Sequence, residues 1–227
     1  MYVKRFGVNT LGRDIACGDV HGHFDEVDAE LERIGYNKAL DRLFIVGDLV
    51  DRGPKSHEAA AWLDKHNAES VRGNHDNHLV NYTTRPKWLN HKDKGAWFKH
   101  LDFRDQDVLV DKFKELPVLI EVATKNGTVG IVHAACNFDS WAELVYALEN
   151  NFRRKSHKLV MNECFHSRIR FNLKDTTPIA DIFAVVVGHN PVPEMLQLGN
   201  TYYIDTEGWR PSIGKFTLLD LNDLQVI

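Results

Sequence analysis

The sequence predicts an α/β protein whose core is a largely parallel, buried β-sheet. Short apolar runs alternate with amphipathic stretches through the first third of the chain, which gives the order βαβαβα. In the first amphipathic stretch, Val27, Leu31 and Ile34 recur at helical spacing, and Ser56 has the position of an N-cap before the second. The predicted strands cover residues 14–17, 43–46 and 70–71, and the predicted helices cover residues 25–34, 56–65 and 77 onward.

The rest of the chain adds a helical insertion, a hairpin and further strands. Residues 77–116 have a helical pattern rich in Trp, His and Lys, and Pro117 ends it. A hairpin follows, with strands at 119–123 and 129–132 joined across Asn126-Gly127. Because there is no repeat and no flexible linker, we expect one domain over residues 1–227. A second helical region covers residues 141–165, and further strands are predicted at 182–187, 202–204 and 215–219.

Composition and charge argue against several functional classes. The 227 residues are 43% apolar and 26% charged with a formal net charge of -4, which favours neither disorder, nor a nucleic-acid scaffold, nor an anionic membrane as partner. The sequence shows no export signal and no membrane-spanning run. Three cysteines without C-x-x-C spacing favour neither disulfides nor a thiolate metal site. We therefore expect a cytoplasmic monomer.

Polar residues cluster where the three predicted strands end. In an open α/β sheet, ligands bind at the carboxyl ends of the strands, so these clusters should bring their side chains to one place. Two later histidines, His133 and His189, also follow apolar strands. The three blocks are Gly18-Asp19-Val20-His21-Gly22, Gly47-Asp48-Leu49-Val50-Asp51-Arg52-Gly53 and Gly73-Asn74-His75-Asp76.

Each of these features has an ordinary structural explanation when taken alone. A Gly-Asp pair after a strand is most often a turn with a helix cap. A lone histidine after a strand is more often a hydrogen-bonded structural residue than a ligand. Three such blocks in succession, with two histidines at further strand ends, favour a metal site instead.

The residue types narrow the metal. Two carboxylates, one amide oxygen and three imidazoles without sulfur suit manganese, iron or zinc, whereas Ca²⁺ and Mg²⁺ prefer all-oxygen sites. Six ligands exceed the four of a tetrahedral ion, so two ions about 3.5–4 Å apart that share a carboxylate are the economical arrangement. We expect two divalent ions, with manganese as the first choice and iron or zinc as alternatives.

Together the blocks resemble those of the calcineurin-like metallophosphoesterases, and most closely those of the small bacteriophage and bacterial serine/threonine protein phosphatases of lambda type. The resemblance covers residues 16–206, and Asp51-Arg52-Gly53 after Gly47-Asp48 is its most specific part. It implies a two-sheet β-sandwich core flanked by helices, and hydrolysis of phosphate esters by a water that two metal ions activate. The implied ligands are Asp19 and His21 for the first ion, Asp48 as the bridge, and Asn74, His133 and His189 for the second.

The resemblance also implies which residues act on the substrate. His75, held by Asp51, is the expected general acid, tuned for neutral pH by that pairing. Guanidinium groups match the geometry of phosphate, so arginines are expected to bind it. The expected phosphate-binding residues are Arg52, Arg72 and, from residues 167–170, Arg170 in preference to Arg168.

Four positions depart from the protein phosphatase pattern. Asp76 stands where Glu is usual, a feature shared with related dinucleoside polyphosphate hydrolases. Asn190 and Glu207 stand where Thr and Gly are usual, and Phe165-His166 replaces an expected Trp. These departures leave the expected ligands intact and bear on the choice of substrate.

Three hypotheses about function follow. The first is a metal-dependent phosphomonoesterase, foremost a serine/threonine protein phosphatase, whose partner is a phosphoprotein or a small phosphate ester. The alternative is a nucleotide phosphoesterase that hydrolyses a dinucleoside polyphosphate or a cyclic nucleotide at the same two metals, and the third is a noncatalytic phosphate-binding protein. Among residues outside the expected site, His23 and His78 are candidates for a substrate contact. Trp88, Trp97 and Phe98 are expected to pack the insertion, or an exposed subset of them to shape a binding groove.

Overall fold

Two β-sheets form the centre of the molecule. The computed structural model describes residues 2–150, 154–210 and 212–227. In chain order the strands are β1 (Val3–Phe6), β2 (Asp14–Cys17), β3 (Arg42–Ile45), β4 (Glu69–Ser70), β5 (Leu119–Thr124), β6 (Gly127–Val132), β7 (Ala184–Val187), β8 (Leu196–Leu198), β9 (Thr201–Tyr203), β10 (Leu218–Asp220) and β11 (Gln225–Val226). One sheet has the order β1-β5-β6-β7-β9-β8 and the other the order β11-β10-β2-β3-β4.

Helices cover the outer faces of both sheets. They are α1 (Phe24–Arg33), α2 (Ala59–His66), α3 (Asn74–Val80), α4 (Pro86–Leu89), α5 (Phe103–Glu115), α6 (Trp141–Glu149), α7 (Arg154–His166) and α8 (Ile169–Leu173). Short 3₁₀ segments lie at Ser56–Glu58, Tyr82–Thr84 and Gly95–His100. The predicted helical insertion is therefore present as the end of α3, two 3₁₀ segments, α4 and α5. None of the described helices combines the length and hydropathy that a bilayer crossing requires.

Three apolar layers hold these elements together. Between the sheets, Phe44 of β3 and Ile131 of β6 are both fully buried in one cluster. A second cluster joins the sheet of β2 and β3 to α1, α2 and α5, and a third joins the sheet of β6 and β7 to α6 and α7. Burying a side chain of this size stabilises the fold by roughly 1.5–3 kcal/mol. The α/β class and the two-sheet core flanked by helices are confirmed.

The parallel arrangement predicted for the first third of the chain is also confirmed. β2 pairs with β3 and β3 with β4, both in parallel, so their carboxyl ends meet at one edge. The predicted N-cap at Ser56 is wrong. Ser56 begins a 3₁₀ turn without a side-chain cap, and its Oγ accepts the backbone N–H of Asp51 at 2.9 Å instead.

The hairpin after the insertion is present, but its turn is displaced by one residue. Thr124 pairs with Gly127, so Lys125 and Asn126 form the turn rather than Asn126 and Gly127. Gly127 has φ of +133°, and a Cβ there would lie 2.8 Å from the Cβ of Phe183. A clash with a neighbouring strand segment, which the local sequence does not reveal, thus accounts for the glycine.

Candidate dimetal site

Seven polar side chains gather where five strands from the two sheets end. Most of them are buried, including Asp19, Asp48 and His133. Parallel strands deliver the residues that follow them to a common edge, which is why blocks distant in sequence meet here. The side chains are Asp19 and His21 after β2, Asp48 after β3, Asn74 and His75 after β4, His133 after β6 and His189 after β7.

The loops that carry these side chains hold unusual backbone conformations. φ is +48° at His21, +53° at Asp48 and +63° at His189, and it is also positive at Asp51 and Arg52. A non-glycine residue in this region costs roughly 1–3 kcal/mol and persists only where surrounding contacts fix it. Such strain concentrates at functional sites, so its presence in three of the five loops, those after β2, β3 and β7, supports a site here.

Asp76 supplies several of the contacts that hold these loops in their strained backbone conformations. Its carboxylate accepts the backbone N–H groups of Asp48 and Leu49, both at 2.9 Å, and of Gly73 at 2.8 Å. Asp76 is fully buried, and burial together with the nearby Asp48 raises its pKa to about 7. The residue that departs from the protein phosphatase pattern therefore braces two loops and does not line the cleft described below.

Two histidines have their tautomers fixed by backbone carbonyls. Nδ1 of His21 lies 2.8 Å from the oxygen of Val50, and Nδ1 of His133 lies 2.8 Å from that of Val46, so each Nδ1 carries the proton. His21 Nε2 is buried and has no hydrogen-bond partner among the described residues. His133 Nε2 faces the Oδ1 of Asn74 at 3.0 Å. With Nδ1 protonated, His133 Nε2 keeps a lone pair, and the Asn74 amide oxygen beside it offers another to a cation.

Asp48 lies between two groups of imidazoles. Its Oδ2 is 3.6 Å from His21 Nε2 and 4.0 Å from His75 Nε2, and its Oδ1 is 3.4 Å from His133 Nε2. Two trios of candidate ligands share it, namely His21-Asp48-His75 and Asp48-His133-His189. A carboxylate with one oxygen toward each group has the geometry of a bridging ligand.

Asp19 and Asp205 add further negative charge to the same cleft. Asp19 Oδ2 lies 4.0 Å from His21 Nε2, and its Oδ1 accepts the N–H of His189 at 3.2 Å. Burial, followed by the charges of Asp205 and Asp48, raises the pKa of Asp19, and burial raises the pKa of Asp205 to about 6. Three carboxylates buried together are costly without compensating positive charge. The residues therefore fit two divalent ions.

His75 and Asp51 form the predicted pair at the edge of the site. Nδ1 of His75 donates to Asp51 Oδ2 at 2.6 Å. Burial acts to lower the pKa of His75, but the charge of Asp48 and the hydrogen bond to Asp51 outweigh it, so the pKa is raised. A raised pKa favours the protonated imidazole that a general acid requires.

Two tryptophans from the insertion donate hydrogen bonds to the Asp51 of this pair. Trp88 Nε1 donates to Asp51 Oδ2 at 2.7 Å, and Trp97 Nε1 donates to Asp51 Oδ1 at 2.9 Å. Both oxygens of a fully buried carboxylate are thus satisfied. The sequence indicated packing of the insertion or a binding groove for Trp88 and Trp97, and it did not indicate that their ring edges hold Asp51.

An open cleft of 220 Å³ lies over the metal-site residues. Arg52 and Arg168 are in its walls with Trp209. The guanidinium carbon of Arg52 lies 4.1 Å from the Trp209 ring centroid, and Arg52 Nη2 lies 3.4 Å from His75 Nε2. Arg168 donates to the Oδ1 of buried Asn190 at 3.0 Å. Two guanidinium groups therefore face the space above the candidate ligands.

Arg72 and Arg170 lie elsewhere, which corrects the placement expected from the sequence. Arg72 Nη2 donates to the carbonyls of Lys114 and Leu116, at 2.7 and 3.0 Å, where α5 ends and leaves carbonyl groups without helical partners. Arg170 donates to the Thr177 carbonyl and lies 3.4 Å from Asp175. In the structure Arg168, not Arg170, is the arginine of residues 167–170 that reaches the cleft.

Three features of the site were not predicted. Asp205 and Trp209 line the cleft, and the indole of Trp209 is 3.4 Å from the Asp205 carboxylate. Glu207, at a position noted only as a departure, also lines it and pairs with Arg210 at 2.7 Å. The rule that polar residues follow strand ends, applied to the strand predicted at 202–204, would have found Asp205.

Comparison with known proteins identifies the family. The sequence profile of the calcineurin-like phosphoesterases matches residues 15–227, which is nearly the whole chain. The chain belongs to that family. This phosphoesterase is therefore a hydrolase, and the family uses the kind of dimetal site that the two trios around Asp48 can form. The resemblance seen in the blocks is confirmed.

Curated proteins of two kinds are similar to this phosphoesterase. The symmetrical bis(5'-nucleosyl)-tetraphosphatase of Actinobacillus succinogenes is 30% identical over 158 residues, which cover 66% of this chain and 56% of the relative. Serine/threonine-protein phosphatase 2 of Escherichia coli is 32% identical over 123 residues, which cover 52% and 56%. The tetraphosphatase of Actinobacillus pleuropneumoniae is 48% identical over 65 residues, 28% of this chain and 24% of the relative. The chain thus spans between a quarter and just over half the length of these relatives.

Solved structures show the same fold. A crystal structure described as a candidate diadenosine tetraphosphatase aligns with a TM-score of 0.65 at 19% identity and covers 100% of this chain and 96% of its own. A protein serine/threonine phosphatase from Saccharomyces cerevisiae aligns with a TM-score of 0.57 at 16% identity, over 88% and 70%. At these identities the likeness concerns the fold alone.

Proposed function

We propose that this phosphoesterase is a metal-dependent phosphomonoesterase that removes phosphate from serine and threonine residues of phosphoproteins, with manganese as the working ion. One observation carries the proposal: Asp48, Arg52 and Arg168 line one small cleft, and the His75–Asp51 pair lies beside them, where His75 Nε2 lies 3.4 Å from Arg52 Nη2. These residues provide a proton donor, a bridging metal ligand and phosphate-binding guanidinium groups for one ester.

The mechanism assigns a task to each group. When bound, the ions supply Lewis acidity that acidifies water and neutralises the phosphoryl oxygens. Arg52 and Arg168 hold those oxygens and orient the ester. Water attacks phosphorus in line, the bond to the leaving oxygen breaks, and His75 gives its Nε2 proton to that oxygen, a step worth about 10²–10⁴-fold. The residues that would hold the ions are Asp19, His21, Asp48, Asn74, His133 and His189.

The size of the cleft favours a phosphate ester whose remainder lies outside it. Its 220 Å³ falls below the roughly 300–1,000 Å³ of pockets that enclose a drug-sized ligand. A phosphoryl group with the first atoms of its ester fits such a space. A phosphorylated side chain on a protein surface meets this description, because the peptide itself stays outside.

The second candidate is hydrolysis of a dinucleoside polyphosphate. Similarity to curated proteins named symmetrical bis(5'-nucleosyl)-tetraphosphatase favours it, since one of them is 48% identical over 65 residues and another is 30% identical over 158 residues. Both candidates use the same metals and the same acid. They differ in the group attached to the attacked phosphate, which is a protein side chain in the first and a nucleotide in the second.

Turnover of three substrates tests the proposal. With manganese present, we expect release of p-nitrophenol from p-nitrophenyl phosphate and of phosphate from a phosphothreonine peptide, and a lower kcat/KM for diadenosine tetraphosphate. Absence of turnover across divalent metals and pH values would refute the phosphomonoesterase. A higher kcat/KM for the dinucleotide than for the peptide would favour the second candidate.

A His75→Asn variant separates an enzyme from a noncatalytic phosphate-binding protein. We expect a loss of about 10²–10⁴-fold in kcat with the manganese content, measured by elemental analysis, unchanged. A binding protein would show neither the initial rate nor the loss. Loss of metal together with rate would instead place His75 among the ligands, as its presence in the first trio allows.

We also propose a compartment, an oligomeric state and a partner for the enzyme. A monomer in the cytoplasm is consistent with Cys17, Cys136 and Cys164, which are buried free thiols. Burial raises the pKa of Cys136 to about 11, so this thiol stays protonated and unreactive at neutral pH. The proposed partner is a phosphoprotein, with no part for nucleic acid or membrane.

A further inference from the structure

A cationic surface lies beside the acid pair, outside the cleft. A cavity of 490 Å³ has Arg85, Lys87 and Lys94 in its walls, and a cavity of 420 Å³ has Arg72, Arg85 and Lys158. Because Arg85 lines both, the two cavities adjoin, and we call them together the cationic surface. Among the described residues no aspartate or glutamate lines either one, although the whole chain has a formal charge of -4.

Short contacts connect this surface to the residues of the site. The ring of His78, in the wall of the first cavity, lies 6.2 Å from that of His75 between centroids. His166, in the wall of the second, lies 6.3 Å from both His78 and His189. Trp88, which also lines the first cavity, is the donor to Asp51. The surface is therefore one side chain away from the groups that act on the ester.

The position of the acid decides which part of a substrate meets the cationic surface. His75 protonates the leaving oxygen in the proposed mechanism, so the alcohol part of the ester departs on the side of His75. The ring of His78 lies 6.2 Å from that of His75, and the ring of Trp88 lies 6.4 Å from that of His78. For a phosphoprotein the leaving group is the serine or threonine with its flanking peptide. A peptide that extends from the cleft past His75 and His78 reaches the cavity lined by Arg85, Lys87 and Lys94.

We propose that the cationic surface is a subsite for acidic residues that flank the phosphorylated serine or threonine. The inference rests on the proposed function and names its substrate class. The positive charges of the cationic surface lie on several side chains, and those of Arg85, Lys87 and Lys158 are exposed. An extended peptide rises about 3.3 Å per residue, so carboxylates one to four residues from the phosphate meet successive cations. Opposite charges of this kind contribute to selectivity and to the association rate.

Two phosphothreonine peptides test the subsite. They share one sequence except that three flanking Asp and Glu residues in one are Asn and Gln in the other. For the unaltered enzyme with manganese, we expect kcat/KM to favour the acidic peptide by about 10-fold in low salt and much less in 0.5 M NaCl, because exposed charges are screened. A ratio near one in low salt would overturn the subsite.

A charge-reversal variant and a matched control locate the effect. Arg85→Glu with Lys87→Glu should bring the ratio of acidic to neutral peptide to one or below, and using the ratio cancels any change in basal rate. Arg104→Glu with Lys125→Glu makes the same change of charge at exposed positions on α5 and in the hairpin turn, and should leave the ratio at its original value. Equal loss in both variants would mean a general charge effect and would overturn the subsite.

Two further measurements separate this inference from the proposed function. Binding of the two peptides with a non-hydrolysable phosphonate, followed by fluorescence anisotropy, should show the same preference without turnover. Preferential binding without peptide turnover would sink the proposed function while the subsite stands, whereas turnover without preference would do the reverse. If the Arg85/Lys87 variant impairs only diadenosine tetraphosphate, the surface serves a polyphosphate and the acidic-peptide assignment is wrong.

Discussion

The Oδ2 of Asp51 accepts the indole N–H of Trp88 at 2.7 Å, across 37 residues of chain. The donor belongs to the helical insertion and the acceptor to the loop after β3. Since Asp51 also holds His75, the insertion takes part in positioning the proposed general acid. The helical insertion therefore contributes contacts to the candidate site at the edge of the sheets.

Replacing Trp88 with phenylalanine should therefore slow catalysis. The variant removes one donor from a buried carboxylate, which costs about 1–3 kcal/mol, and it loosens the Asp51 that orients His75. We expect kcat to fall more for an alkyl phosphate than for p-nitrophenyl phosphate, because an aryl oxide leaves without needing a proton. Steady-state rates with both esters check this.

Trp62→Phe is the matched control for that experiment. Trp62 is also buried and donates its indole N–H to Asp28 at 2.7 Å, but it packs between α1 and α2. Its loss should lower stability without changing the ratio of alkyl to aryl rates. A changed ratio in Trp62→Phe, or an unchanged one in Trp88→Phe, would contradict the positioning role.

Arg168 and Arg170 should behave differently on truncation. Arg168→Ala removes a guanidinium from the cleft, and we expect kcat/KM for phosphate esters to fall roughly 10–100-fold with weaker inhibition by inorganic phosphate. Arg170→Ala should affect stability through Thr177 and Asp175 while the inhibition constant for phosphate stays within about twofold. The opposite pattern would restore the assignment made from sequence.

Asp76→Asn should weaken the loops and the metal site together. All three groups that Asp76 accepts from are backbone N–H donors, so an amide NH₂ in its place must face one of them. We expect a loss of about 2–3 kcal/mol in the free energy of unfolding and weaker binding of manganese by calorimetry. The preference between peptide and dinucleotide substrates should stay the same.

Asp102→Asn provides the comparison for Asp76. Asp102 is an exposed N-cap of α5 that accepts one backbone N–H, from Asp105 at 3.0 Å, and Asn caps a helix about as well. Stability and manganese affinity should barely change. If Asp76→Asn shifted substrate preference with normal stability, the bracing role would be refuted.

Much of the site could be predicted because strand ends and short blocks are local properties of the sequence. The side chains after β2, β3 and β4 meet because parallel strands share an edge, so Asp19, Asp48 and Asn74 needed only the correct order of strands. Apolar runs at residues 14–17 and 43–46 were enough to give that order.

The arginines were harder because their direction depends on elements far away. Arg72 turns toward the end of α5, more than 40 positions later in the chain. Arg168 and Arg170 are two positions apart at the start of α8, which rotates their side chains by about 200° relative to each other. One of the two therefore faces the cleft and the other faces away, and the sequence does not indicate which.

The pH dependence of stability should have a contribution remote from the site. Burial acts to raise the pKa of Asp41, but hydrogen bonds from the side chain and N–H of Arg13 and the N–H of Asn37 outweigh it and lower the pKa. A lowered pKa means stabilisation that is complete above the ordinary value of about 4 and is lost as the pH falls through the folded-state value. Asp41→Asn should therefore cost about 1–2 kcal/mol at pH 7 and progressively less below pH 4.

Urea unfolding at several pH values measures this difference. Asp111→Asn is the control, because Asp111 pairs with Lys114 on an exposed face of α5 and such pairs contribute little. A cost for Asp41→Asn that did not shrink in acid would rule out the charge as its source.

The contacts of Asp76 also bear on how relatives of this chain are sorted. Every hydrogen bond that the Asp76 side chain accepts among the described residues comes from a backbone amide of two loops, so a longer glutamate at that position would need those loops further apart. Sorting sequences by Asp or Glu at position 76 therefore sorts them by the distance between these two loops. Labels for what such enzymes hydrolyse are better drawn from the side chains that line the cleft.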